Sequence, residues 1–86
     1  MSEAAPGVAL SELAIGQGGK IVSLDLPPEA RQRLLEMGMT VGARIEVARF
    51  APLGDPVEIK VRGYHLSIRK HEAAGIFVAD EKKQLD

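Results

Sequence analysis

The 86-residue sequence has no cysteine, no tryptophan and only three aromatic side chains, Phe50, Tyr64 and Phe77. Without cysteine there are no disulfides and no thiolate-held zinc, so the chain must stand on packing alone. Three aromatics are too few to line a polyproline groove or to stack single-stranded bases. No apolar run approaches the roughly 18 residues needed to cross a bilayer. Glu3 stands where a secretory leader would carry positive charge, and no apolar segment follows it. Neither sign of charge dominates: 11 Lys and Arg stand against 12 Asp and Glu, a formal net charge of -1. The chain as a whole is therefore drawn neither to nucleic acid nor to an anionic membrane. These absences predict one small, soluble, cytoplasmic domain with no membrane insertion and a thin core, since a chain this short buries only about 60% of its unfolded surface.

What is present is patterned. Residues 1–9, with Pro6 and Gly7, read as a disordered tail, residues 10–80 as the domain, and residues 81–86, "EKKQLD", as a charged tail. "LSEL" can make one helical turn that seats Leu10 and Leu13, "GQGG" at 16–19 is a turn, and "KIVSL" at 20–24 is a strand. "DLPPEARQRLLEMG" is a helix with clear ends. Its prolines suit the first turn, Glu29 suits the positive end of the dipole, and Ala30, Leu34 and Met37 form one apolar stripe. Gly38 falls just past the helix, where a left-handed conformation is needed, and Leu34 and Met39 are then the pair that meets in a Schellman motif. Gly42 turns the chain into the strand 43–50. Both Met37 and Met39 read as packing rather than as thioether ligands, since neither has His or Cys nearby.

The strands 57–61 and 64–68 alternate apolar and polar. A type II′ turn at Gly63-Tyr64 would pair Arg62 with His65, Val61 with Leu66 and Ile59 with Ile68, leaving Glu58 opposite Arg69. "KHEAAG" can make a helical turn ending at Gly75, and "IFVA" at 76–79 is a last strand. The fold class expected from this order is mainly β: a small, SH3-like, partly open antiparallel barrel with one short α-helix.

Candidate chemistry is sparse. The serines lack a His and Asp context, and "GQGG" lacks the Lys-Ser/Thr of a phosphate loop, so no enzyme and no cofactor are expected. His65, His71 and Glu72 are the weak metal candidates, short of the three or four convergent ligands a specific site needs. Residues 44–71 hold six Lys and Arg against three acids. That mild excess around Lys60, Arg62, Arg69 and Lys70 is the sole support for nucleic-acid binding, and no nucleic-acid partner is expected. The loop "APLGDP" draws more interest, because long hairpin loops carry function more often than their scaffold. Pro52, Leu53, Gly54 and Asp55 are candidate partner contacts, with Leu53 either exposed at the tip or folded back on the barrel. Hairpin edges could also support weak self-association.

"LLEMGMTVGARIEV", "APLGDPVEIKVRGYHLSIRKHEA" and "IFVAD" together resemble the FeoA family, small cytoplasmic proteins of bacterial ferrous-iron uptake. The resemblance runs from about Leu10 to Asp80; Met37 and Met39 stand where leucines are common in the family. It implies an SH3-like barrel, a non-enzymatic accessory role and, as partner, FeoB, the membrane GTPase and ferrous-iron permease, met on its cytoplasmic side. It also implies transition metal ion binding, for which this sequence shows no closed ligand set. The same domain ends DtxR-type repressors, but this chain has no room for their DNA-binding helices.

Overall fold

The computed structural model describes residues 7–80. Six strands form one sheet: β1 (Val8–Ala9), β2 (Gly18–Leu24), β3 (Arg44–Phe50), β4 (Val57–Val61), β5 (Tyr64–Ile68) and β6 (Ile76–Asp80). Helix α1 (Pro28–Glu36) joins β2 to β3, and the single turn α2 (Lys70–Ala73) joins β5 to β6. In space the order is β1-β6-β2-β3-β4-β5, and every neighbouring pair is antiparallel. The edges are β1 and β5. This is the mainly β, SH3-like, partly open barrel expected from the sequence.

Alternation puts the apolar side chains on one face. Ile45 and Val47 of β3, Val57, Ile59 and Val61 of β4, and Ile76 and Val78 of β6 are all buried. Leu10 and Leu13 flank a 3-10 turn, and with Leu34 of α1 and Met39 they join the same core. Full burial of such a side chain is worth about 1.5–3 kcal/mol, enough for these four to hold the turn and the helix to the sheet.

Helix α1 begins as expected, with Pro28 at its first position and Glu29 in its first turn. It ends in a full Schellman motif. Met37 is the C-cap, Gly38 takes φ 97, the Gly38 N–H donates to the Leu35 carbonyl at 3.1 Å, and the Met39 N–H donates to that of Leu34 at 2.9 Å. A further bond closes the end: the Tyr64 hydroxyl donates to the Met37 carbonyl. Gly38 is therefore required twice, once by its φ and once because a Cβ there would lie 2.7 Å from the Tyr64 hydroxyl oxygen.

The β4–β5 turn differs from expectation. Its central residues are Arg62 (φ 51) and Gly63 (φ 88), the type I′ pattern. Val61 therefore pairs with Tyr64, Lys60 with His65, Ile59 with Leu66 and Glu58 with Ser67. The expected register is off by two residues. Apolar alternation could not distinguish the two, because a two-residue slip leaves every side chain on its own face. The observed turn takes Tyr64 off the tip and into β5. The Arg62 side chain lies over Gly38, its Nε 3.7 Å from where a Cβ would stand, which sets a cation at the negative end of α1. Glu58 pairs with Arg49 of β3 at 3.6 Å rather than with Arg69, because a bulge at Ala48 brings Arg49 opposite it.

Two other boundaries move. Val8 and Ala9, expected in the tail, pair with Val78 and Phe77 of β6; a two-residue strand has no period to read. Residues 1–6 of that tail and the charged tail at 81–86 lie outside the described residues. Gly18 and Gly19, expected in a turn, belong to β2 and pair with Glu46 and Ile45. A Cβ at Gly18 would stand 2.0 Å from the Ile45 carbonyl oxygen, so close strand approach, not a turn, accounts for that glycine.

Gly38→Val should cost on the order of 1–3 kcal/mol through its backbone alone, and lower the melting temperature by about 4–8 °C per kcal/mol. Gly38→Ala should cost less in a Tyr64→Phe background than in the natural chain. Equal costs in a double-mutant cycle would show that the hydroxyl does not constrain this position.

Candidate functional site

The loop between β3 and β4 is short, proline-bounded and tied down at three points. The Ala51 N–H donates to the Pro56 carbonyl at 3.0 Å, and the Gly54 N–H donates to that of Ala51 at 2.7 Å. Asp55 Oδ1 accepts the backbone N–H of Lys70 at 3.0 Å, fastening the loop to α2. The Asp55–Pro56 peptide is cis. Leu53 is 94% exposed at the tip, beside exposed Pro52. Of the four candidate contact residues, Leu53 and Pro52 thus face solvent, Gly54 is half-buried, and Asp55, though exposed, is an anchor.

The metal candidates are not brought together. His65 lies exposed on β5, opposite Lys60 rather than Arg62. His71 is exposed on α2. Glu72 is buried and paired with Arg33 of α1, a residue 39 positions away. Among the described residues no three His, Cys, Asp or Glu side chains lie close enough to hold a metal. A carboxylate turned inward onto a guanidinium is a structural group, so the donor set present does not fit a metal ion.

The basic residues also separate. Lys60 and Arg62 line a hollow on the outer sheet face with Arg44 and Glu46. Arg69 lines a different hollow with Arg33, Met37 and Glu72. The structural role of Glu72 had no signal in the sequence, since its partner sits on another element. Among the described residues no helix is long and apolar enough to cross a membrane.

A small antiparallel barrel with one clasped helix and a tied-down, apolar-tipped loop defines an SH3-like domain. Residues 8–80 match the FeoA domain model, and the chain belongs to the FeoA family. FeoA from Chlorobium tepidum, solved in solution, shares 40% identity and superposes with a TM-score of 0.85 over 91% of this chain and 74% of that one. Stenotrophomonas maltophilia FeoA, solved with zinc and described as a prokaryotic SH3 domain protein, is 26% identical, with a TM-score of 0.71 over 87% and 96% of the two chains. The Fe(2+) transport protein A/Fe(2+) transporter FeoB fusion protein of Porphyromonas gingivalis is 42% identical over 69 residues, 80% of this chain. This chain spans only 8% of that relative's length.

Arg33→Met leaves the Glu72 carboxylate buried without its cation. It should cost about 1–3 kcal/mol in urea unfolding, less than a fully buried pair because the Arg33 side chain is half exposed, whereas Arg49→Met should cost under about 1 kcal/mol. Zinc calorimetry should give the same weak, unsaturating isotherm for His71→Ala as for the natural chain; saturation lost in the variant would show a site there.

Proposed function

We propose that this chain is a non-enzymatic cytoplasmic accessory protein of ferrous-iron uptake that binds and modulates a FeoB-type membrane GTPase and iron permease. The observation that carries the reading is the Porphyromonas gingivalis protein, in which a segment 42% identical to this chain shares one polypeptide with a FeoB transporter. Covalent linkage holds two parts at high effective concentration, an arrangement suited to parts that act on each other. The Stenotrophomonas maltophilia relative, described as a candidate activating factor of ferrous iron transport, supports the same role.

The contact on this chain is the Pro52–Asp55 loop. Leu53 is apolar and exposed, and the ties at Ala51, Gly54 and Asp55 hold it ready. A pre-ordered tip loses little conformational freedom on docking, so more of its burial appears as affinity.

Pull-down against the cytoplasmic part of the cognate FeoB-type protein tests this. Leu53→Asp should weaken retention at least about tenfold, the value of one buried leucine, while its melting temperature stays unchanged because the side chain touches little. Equal retention of both would remove the loop as the contact, and retention of neither would remove the accessory role.

A further inference from the structure

One border of the sheet is open along its backbone. In a two-residue turn the pair that flanks it, here Val61 and Tyr64, exchanges both main-chain hydrogen bonds. Alternation then turns the N–H and C=O groups of Tyr64, Leu66 and Ile68 toward β4, and those of His65 and Ser67 away from it. β5 is the last strand of the sheet, and among the described residues no hydrogen bond reaches those four outward groups. The Arg69 carbonyl, next in the row, is taken by the amides of Glu72 and Ala73, each at 3.0 Å, so the rail ends at α2. Proteins commonly blunt such borders with lysine, proline or a bulge. β5, with the sequence "YHLSI", has neither lysine nor proline, and it pairs with β4 without a register shift.

Beside the rail lies a hollow of about 620 Å³, lined by Arg33 and Met37 of α1, Ser67 and Arg69 at the end of β5, Glu72 of α2, and Pro56. Ser67 stands on the outer face opposite Glu58, whereas α1 sends Leu34 into the core and receives the Tyr64 hydroxyl from the core side. A hollow lined by both therefore curves round the free edge of β5. Its volume falls within that of ligand-holding clefts, about 300–1,000 Å³. On the core side of the rail stand two half-buried apolar side chains, Met37 and Leu66. The two cations of the hollow are not equivalent. Arg33 is held by Glu72, whereas the exposed Arg69 guanidinium has no ion-pair or hydrogen-bond partner among the described residues.

We infer that the free edge of β5 is a binding surface whose ligand is an extended segment of a partner protein, added antiparallel to β5 as a further strand, with an acidic side chain at Arg69. The inference does not rest on the transporter reading. Antiparallel addition lets two residues of the segment, opposite His65 and Ser67, satisfy all four open groups. The residue between them lays an apolar side chain against Leu66, and the residue opposite Arg69 carries the carboxylate. A second copy of this chain is the poorer occupant. The two-fold pairing that would use the same four groups is centred on Leu66, and it would set Arg62 of one copy opposite Lys70 of the other, beside Arg69. Like charges would then meet at both ends of the joint.

The test is a titration of the isotopically labelled chain with the capped peptide Ser-Glu-Val-Thr-Val-Thr-Ser, whose glutamate falls at Arg69 and whose threonines fall opposite Ser67 and His65. Amide shifts should cluster at residues 64–69 and Met37 and saturate below about 1 mM. Hydrogen exchange of the His65 and Ser67 amides should slow at least tenfold on saturation. An N-methyl group on either threonine, which removes a paired N–H, should weaken binding at least tenfold. The same group on the valine between them, whose N–H points away from β5, should cost less than threefold. Arg69→Gln, and the peptide with glutamine for glutamate, should each lose at least threefold, with little further loss when combined. Leu53→Asp should bind as the natural chain does, which separates this edge from the loop. Failure to saturate, shifts scattered over the surface, or equal losses for the threonine and valine N-methyl peptides would overturn the inference. So would shifts along β5 that grow with the concentration of the chain alone, which would assign the edge to a second copy.

Discussion

A helix of nine residues makes too few internal hydrogen bonds to persist in water. Its last carbonyl groups must find donors, and here they find them in two places. The Gly38 and Met39 amides close the carbonyls of Leu35 and Leu34, and the Tyr64 hydroxyl closes that of Met37. The second closure joins segments 27 positions apart. Much of the fold follows from it. Tyr64 must start β5 rather than cap a turn, so the turn falls on Arg62 and Gly63. Leu34 and Met39 are drawn together into the core, and the chain leaves the helix in line for β3.

The rest of the molecule divides into parts that hold and parts that face outward. The Arg33–Glu72 pair and the bond from Lys70 to Asp55 bind α2 to α1 on one side and to the β3–β4 loop on the other. The loop therefore rests on the scaffold rather than swinging from it. Leu53 is the exception within it, an apolar side chain with almost all its surface in water.

Much of this was legible in the sequence where local chemistry decides the outcome. The helix stop at Met37-Gly38-Met39 could be read down to its apolar pair, Leu34 and Met39, because glycine and the flanking apolar residues leave one common solution. The faces of β3 and β4 followed from alternation. The β4–β5 register did not, because a shift of two residues is silent in the pattern and the deciding term is a hydroxyl reaching a distant helix. Arg62 at positive φ runs against its own backbone preference, and tertiary contact overrides it. Glu72 looked like a ligand candidate beside His71, and only the packing of α2 against α1 shows it to be an internal counter-ion. In the loop, Leu53 and Asp55 look alike as candidates until three dimensions separate the tip from the anchor.

The sheet's two borders are unequal. At β5 a five-residue backbone row lies open, whereas at β1 the described border is only two residues long. Growth of a sheet from molecule to molecule needs a docking rail on each side, one to receive and one to offer. Among the described residues, the rail at β5 is the longer one that a neighbouring strand could meet.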